Sequence, residues 1–115
     1  MLKISKLTSQ DIPIIVSAFA PFYAKTHELF EQYLKEQDEG ERLIWLACNQ
    51  EQFAGYITLK HHSKYEPFAH DNIPEIMDLN VLPTFRNLGI ATKLLDFAET
   101  ESAKINHIVG LGVGL

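Results

Sequence analysis

The stretch Glu75-Ile-Met-Asp-Leu-Asn-Val-Leu-Pro-Thr-Phe-Arg-Asn-Leu-Gly-Ile-Ala-Thr-Lys-Leu-Leu95 decides the reading of this chain. Its first seven residues, Glu75 to Val81, favour a short strand that Pro83 ends. From Leu88 to Lys104 the apolar residues recur with a helical period. Ala91, Leu94, Leu95, Ala98, Ser102 and Ile105 form one stripe, and Lys93, Asp96, Glu99, Glu101 and Lys104 point away from it. Between the two lies Arg86-Asn-Leu-Gly-Ile-Ala91. A tight turn that runs from a strand into a helix start aims several backbone N–H groups at one point, where the helix dipole also favours negative charge. Gly89 has no Cβ to block a phosphate approaching the backbone, and Ala91 is small enough to keep the helix close to a sheet. Arg86 and Lys93 add charge-assisted contacts for a pyrophosphate. An ordinary strand-to-helix junction has the same spacing, so the anion-site and the purely structural readings both stand at this level.

Working outward, residues 2 to 7 alternate apolar and polar, the period of a half-buried strand. Thr8 and Ser9 are helix-capping residues, and Asp11, three residues after Thr8, completes a capping-box-like start. The helix that follows, with Ile12, Ile15, Val16, Phe19 and Tyr23 on one face, tolerates Pro13 only in its first turn and stops by Ala20, because the residue before Pro21 is pushed out of helical geometry. A second helix is expected over His27 to Gln37, with Leu29, Phe30, Tyr33 and Leu34 on one side and Gly40 at its C-terminal end. Leu43 to Cys48 and Phe53 to Leu59 are β-favouring runs joined by Asn49 to Gln52, an antiparallel hairpin in which Gly55 marks a bulge. His61 to Pro74 is polar and aperiodic, a long surface loop of the kind that borders sites. Ile108 to Leu115 alternates Val109, Leu111, Val113 and Leu115 with Gly110, Gly112 and Gly114, a strand with one bare face. The glycine spacing is not that of a dinucleotide-binding fingerprint.

Taken together, Val81, Pro83, Arg86, Gly89 and Ala91 resemble the acetyl-coenzyme A motif of the GCN5-related N-acetyltransferases (GNAT), in which a strand ending in Val leads through R/Q-x-x-G-x-G/A to a helix. The order strand, two helices, hairpin and motif strand follows the same family over essentially the whole chain. The resemblance implies an α/β (α+β) domain over residues 1–115 with a mixed, mostly antiparallel central sheet flanked by helices. It implies acetyl-CoA as co-substrate and an amine as acceptor, joined by direct attack without a covalent enzyme intermediate. The backbone of Leu79, Asn80 and Val81 would bind the pantetheine arm, and the amides of Arg86, Asn87, Leu88, Gly89, Ile90, Ala91 and Thr92 the pyrophosphate. Glu75 matches the general-base position of the histone-acetylating branch. An alkyl amine with a pKa of roughly 10 must lose a proton before it attacks a thioester, so a carboxylate base makes physical sense. Asp78 is the rival base, and a period of two puts it on the opposite face from Glu75.

Family domains run on through a further helix, two strands and a Tyr that protonates the leaving thiolate. The chain is therefore expected to be a shortened member, and none of Tyr23, Tyr33, Tyr56 or Tyr65 matches that Tyr. An exposed last strand would pair with a second copy, giving a homodimer. The alternative to an enzyme is a non-catalytic CoA-binding or oligomeric interaction protein of the same descent.

Composition bounds the rest. With 115 residues, 46% of them hydrophobic and 22% charged, the chain is long enough for one packed core and too short for two. Cys48 is alone, which excludes disulfide scaffolding and reads as a small buried hydrophobe in a reducing, cytoplasmic setting. A net charge of −5 with ten scattered Lys and Arg residues argues against nucleic acid as a partner. Six of the fifteen acids fall between Glu28 and Glu41, a solvated helix face or an attractor for a cationic substrate. The longest uncharged stretch, Ile12 to Ala24, falls well short of the roughly 20 residues a bilayer requires, so no membrane span is expected. His61, His62 and His70 match no metal-ligand spacing, and no metal is expected. Trp45 and the Phe residues read as core.

Overall fold

The computed structural model describes residues 2–22, 24–60, 74–104 and 110–111. Along the central hairpin, Ile44 and Leu46 turn to one side and Trp45 and Ala47 to the other, and all four are buried. A strand that is apolar at consecutive positions needs cover on both faces, and the helices supply it. The elements are β1 (Leu2–Lys6), α1 (Ile12–Phe19), α2 (His27–Asp38), β2 (Arg42–Asn49), β3 (Gln52–Lys60), β4 (Glu75–Val81), α3 (Ile90–Ser102) and β5 (Gly110–Leu111). The five strands lie side by side in chain order. Pairing is antiparallel from β1 through β4 and parallel between β4 and β5, where Glu75 faces Gly110 and Ile76 faces Leu111. This is the mixed, mostly antiparallel sheet expected.

On one face α3 lays Ile90, Leu94 and Ala98 against Trp45, Ala47, Ala54, Ile57, Leu59, Ile76 and Val81. The Trp45 and Phe97 rings meet edge to face at 5.4 Å. On the other, α1 and α2 place Ile12, Ile15, Phe19 and Phe30 against Ile44, Leu46, Tyr56 and Leu82. The start of α1 is preceded by a 3-10 turn, Ser9–Asp11. There the Asp11 carboxylate accepts both the backbone N–H and the hydroxyl of Thr8 at 2.8 Å. Pro13 sits in the first turn of α1, and Thr26 caps α2 by accepting the Leu29 N–H at 3.1 Å. The acidic stretch is for the most part a solvated face. The exception is Glu36, which takes the Arg42 guanidinium at 2.6 Å. Burial acts to raise its pKa, but the hydrogen bonds from Arg42 and Gln32 outweigh burial and hold the carboxylate below its usual range.

Several local expectations are corrected. The hairpin turn is two residues, not four: Asn49 pairs with Gln52, and Gln50 and Glu51 both take positive φ, 51° and 69°. That geometry twists with the flanking strands, which a longer turn would not do as tightly. The bulge falls one residue before Gly55. Ala47 pairs with Gly55 and Cys48 with Phe53, leaving Ala54 unpaired. Gly55 has a different reason to be glycine, since a Cβ there would lie 2.5 Å from the Asn80 carbonyl oxygen and 3.0 Å from the Val81 Cα. α3 starts at Ile90 rather than Leu88, and Ile90, not Ala91, heads its buried stripe. The motif glycine is the N-cap, so the helix begins two residues later than expected. Cys48 is half-buried rather than buried, and burial pushes its thiol pKa up, away from a reactive thiolate.

The largest correction concerns β4. Tyr56 pairs with Asn80 and Thr58 with Met77, so Ile57 alone faces both Asp78 and Leu79. The extra residue is a β-bulge, and Asp78 adopts a left-handed backbone with φ 54°. A bulge resets the alternation of the strand. Glu75, opposite Lys60, and Asp78 therefore fall on the same face, the one covered by α1 and α2, where period two had set them apart.

The expected loop at 61–74, apart from Pro74, lies outside the described residues, as do Tyr23, Ile105 and all of the last strand except Gly110 and Leu111. Among the described residues no helix is long and apolar enough to cross a membrane, and no group of His, Cys, Asp and Glu side chains is arranged to hold a metal ion.

Candidate active site

The end of β4 and the start of α3 enclose a cleft of about 470 Å³ lined by Leu79, Asn80, Val81, Phe85, Arg86, Asn87, Gly89, Ile90, Ala91 and Thr92. Apart from Lys93 and from Leu88, whose side chain stands out 57% exposed, every residue singled out from the sequence for a coenzyme lies on its wall. Phe85, in the 3-10 turn Pro83–Phe85 between β4 and α3, is an addition. Lys93 is exposed on α3 and does not line the cleft.

The floor of the cleft is backbone. Asn87 and Gly89 take positive φ, 67° and 76°, which folds the turn back on itself just before α3. The Lys93 N–H donates to the Gly89 carbonyl at 3.1 Å. The N–H groups of Ile90, Ala91 and Thr92 thus precede the helical ladder and point out of its positive end. A Cβ at Gly89 would meet no protein atom within 4 Å. The space above that backbone is therefore open, and the glycine is demanded by its φ. The Arg86 Nε donates to the Val81 carbonyl at 3.2 Å, which ties the turn to the strand end. The Leu82 N–H donates to the Ala54 carbonyl of β3 at 2.8 Å. Successive N–H groups of a strand point to opposite edges, so the Val81 N–H is directed away from β3, toward the cleft.

Across β4 lies a polar cluster that sequence reasoning did not anticipate. The bulge aims Asp78 into the α2 face, where its Oδ2 accepts the hydroxyls of Tyr33 at 2.7 Å and Tyr56 at 2.8 Å. Its Oδ1 accepts the Asn80 Nδ2 at 2.7 Å, and the same amide donates to the Tyr56 oxygen at 3.2 Å. The Lys25 ammonium stands 3.5 Å from Oδ1 and 5.8 Å from the centre of the Tyr56 ring. Burial, followed by the charge and hydrogen bond of Asp78, pushes the Tyr56 hydroxyl pKa well above the usual phenol value. Burial and the Asp78 hydrogen bond do the same for Tyr33. Both phenols are therefore neutral donors. The Arg42 guanidinium stacks on the Tyr33 ring at 4.5 Å and donates to the Thr58 hydroxyl at 2.9 Å, and that hydroxyl donates to the Met77 carbonyl at 2.8 Å beside the bulge. Asn80 alone belongs to both the cleft and the cluster. Glu75 stands at the far end of β4, between Lys60 and Gly110, and does not line the cleft.

The model of the acetyltransferase (GNAT) family matches residues 12–113. This chain belongs to the GNAT acetyltransferase family. The GNAT fold is borne out by solved structures. An N-acetyltransferase from Staphylococcus aureus superposes with a TM-score of 0.77 at 14% identity, covering 100% of this chain and 73% of that one. PaiA N-acetyltransferase from Thermoplasma acidophilum, solved in complex with coenzyme A, gives 0.68 at 20% identity over 90% of this chain and 73% of its own. A predicted acetyltransferase from Clostridium acetobutylicum, solved with acetyl-CoA, gives 0.69 at 20% identity over 100% and 81%. No curated protein sequence matches at a significant level. Membership of the GNAT family assigns the chain to acyl transfer from coenzyme A thioesters as a general class.

Proposed function

We propose that the protein transfers an acetyl group from acetyl-CoA to a primary amine by direct attack. The observation that carries this reading is the cleft, which gathers the strand end and the helix start around one open backbone floor. A pantetheine arm fits along Leu79, Asn80 and Val81, and a pyrophosphate fits over the amides from Arg86 to Thr92, where Gly89 leaves room and the helix dipole favours its charge. The coenzyme supplies a thioester, from whose acyl carbon an amine readily displaces the thiolate.

In the step itself the amine nitrogen forms a bond to the carbonyl carbon and the C–S bond breaks, its electron pair leaving on the coenzyme sulfur. The Val81 N–H polarises the carbonyl as negative charge builds on its oxygen. Glu75 accepts the amine proton, directly or through water. The reading places the protein in the cytoplasm.

Acetylation assays over a panel of primary amines, with calorimetry of coenzyme A binding, test the proposal. Wild type is expected to bind coenzyme A and to acetylate at least one amine, and Gly89→Val to lose coenzyme binding while still melting cooperatively. Unchanged coenzyme affinity in Gly89→Val overturns the placement of the pyrophosphate. Coenzyme binding by homogeneous protein with no turnover of any amine replaces the enzyme by a non-catalytic CoA-binding protein.

A further inference from the structure

The Asp78 cluster holds a cation of the chain's own in a place built for one. Oδ2 is filled by two neutral phenol donors and Oδ1 by the Asn80 amide, all at 2.7–2.8 Å. A carboxylate has roughly four lone-pair sites, so one direction is left, on Oδ1. Lys25 takes it loosely. Its 3.5 Å separation exceeds the roughly 2.7–2.9 Å of a well-made charge-assisted bond, and its 5.8 Å from the Tyr56 centroid lies at the outer edge of a cation–π contact. The Lys25 and Asp78 side chains are 19% and 21% exposed, within reach of solvent. Lys25 belongs to neither helix but to the link between α1 and α2, on a stem of four rotatable bonds. The carboxylate is held rigidly by its three other donors, whereas its cation is held poorly.

We propose that the Asp78 carboxylate and the Tyr56 ring are the binding site for the acceptor's ammonium group, with Lys25 as an internal occupant that the acceptor displaces. The proposal rests on the acetyltransferase reading and names its substrate class. Asn80 touches Asp78 and the Tyr56 hydroxyl and also lines the cleft, so the bound ammonium lies one side chain from the place assigned to the thioester. One cation replaces another, so the exchange makes and breaks no covalent bond. The vacancy on Oδ1 asks for an N–H donor, which excludes a quaternary ammonium. A carboxylate beside the amine, as in a free α-amino acid, would be repelled by Asp78. A primary alkylammonium, as in a diamine, a polyamine or a lysine side chain, meets both conditions.

Calorimetry of n-butylammonium chloride and putrescine against the coenzyme-free protein tests this without turnover. Lys25→Met, which keeps the stem and removes the charge, is expected to tighten both by about tenfold, the combined worth of a loosely made ion pair and a cation–π contact. Asp78→Asn is expected to lose both ligands. Unchanged or weaker binding in Lys25→Met overturns the proposal, and that variant decides the matter alone if Asp78→Asn shows no cooperative melt. Coenzyme A binding is measured in parallel. Its absence from wild type sinks the acetyltransferase reading, whereas its presence with no response of the ammonium to Lys25→Met sinks only the internal-occupant site. In the amine assay Lys25→Met should lower KM for putrescine but not for an uncharged arylamine, and equal KM changes for both count against the proposal.

Discussion

On the α3 side of β4 the candidate site is made of neighbours in sequence, Leu79 to Val81 and Phe85 to Thr92 without Leu88, presenting mostly backbone. On the α2 side it is made of Lys25, Tyr33, Tyr56, Asp78 and Asn80, brought from three elements and a link, and presents side chains. The first half is proposed to bind through groups every residue possesses, so its sequence requirement reduces to a glycine with positive φ and a short turn. The second half needs particular side chains at distances that only the folded sheet sets. Backbone sites are written locally and side-chain sites globally, and the two halves should respond to different substitutions.

The substitution expected to break both is at Gly55, which lies beneath the point where they join. A side chain there would press on the Asn80 carbonyl and the Val81 Cα, backbone atoms that cannot rotate away. Gly55→Val is expected to cost at least about 3 kcal/mol, the top of the usual range for overpacking, and to weaken coenzyme A and ammonium binding alike. Urea denaturation checks the first, and a loss below about 1 kcal/mol would show that β3 and β4 have more slack than their contact implies.

Asp78→Ala separates the halves. It leaves two phenols without their acceptor, at about 1–3 kcal/mol, and puts a Cβ residue without a polar side chain in a left-handed backbone, at roughly 1 kcal/mol more. Stability should fall by about 3 kcal/mol while coenzyme A affinity stays near wild type. Asp78→Asn should recover part of that stability, because Asn tolerates the same backbone. Equal losses for the two would mean that the bulge strain is negligible.

Protonation sharpens the comparison further. The folded pKa of Tyr56 is raised above its unfolded value of about 10, so the folded state holds the phenol proton more tightly. The stability this contributes is fully present below pH 10 and is lost as pH rises above it, at up to about 1.4 kcal/mol per pH unit, because the unfolded chain releases the proton first. The stability gap between wild type and Tyr56→Phe should therefore narrow from pH 9 to pH 12. A constant gap would show that Asp78 and burial do not act on Tyr56 as the geometry indicates.

The same division explains what was legible beforehand. Strand β4, its stop before Pro83, the α3 stripe and the turn residues Arg86 to Ala91 follow from periodicity, proline and glycine, which act over a few residues. The family resemblance of that stretch was confirmed over residues 12–113. Asp78 was legible as a carboxylate but placed on the wrong face, since a bulge arises from pairing with β3 and has no local mark beyond a residue that tolerates positive φ. Tyr33 was read on the apolar side of the second helix and Tyr56 lies in a β-favouring run, and both rings do pack with the core. Their hydroxyls join one hydrogen-bonded cluster only because the bulge delivers an acceptor to both. One faint signal existed, Asp78 and Asn80 set two apart in an otherwise largely apolar strand.

The smallest effect tests whether the halves are energetically separate. Thr26 caps α2 through the Leu29 N–H and adjoins Lys25, so Thr26→Ala should loosen the first turn of α2 and the link that carries the lysine. The cost in stability is about 1 kcal/mol, the usual worth of such a cap. Tyr33 lies deeper in α2 and keeps its bond to Asp78, so the carboxylate stays in place while its cation becomes more mobile. Putrescine should then bind slightly more tightly, by less than in Lys25→Met, and coenzyme A should bind as before. If calorimetry instead shows both ligands weakened together, α2 and α3 are coupled through the sheet. The two sides of β4 would then act as one site rather than as two that share Asn80.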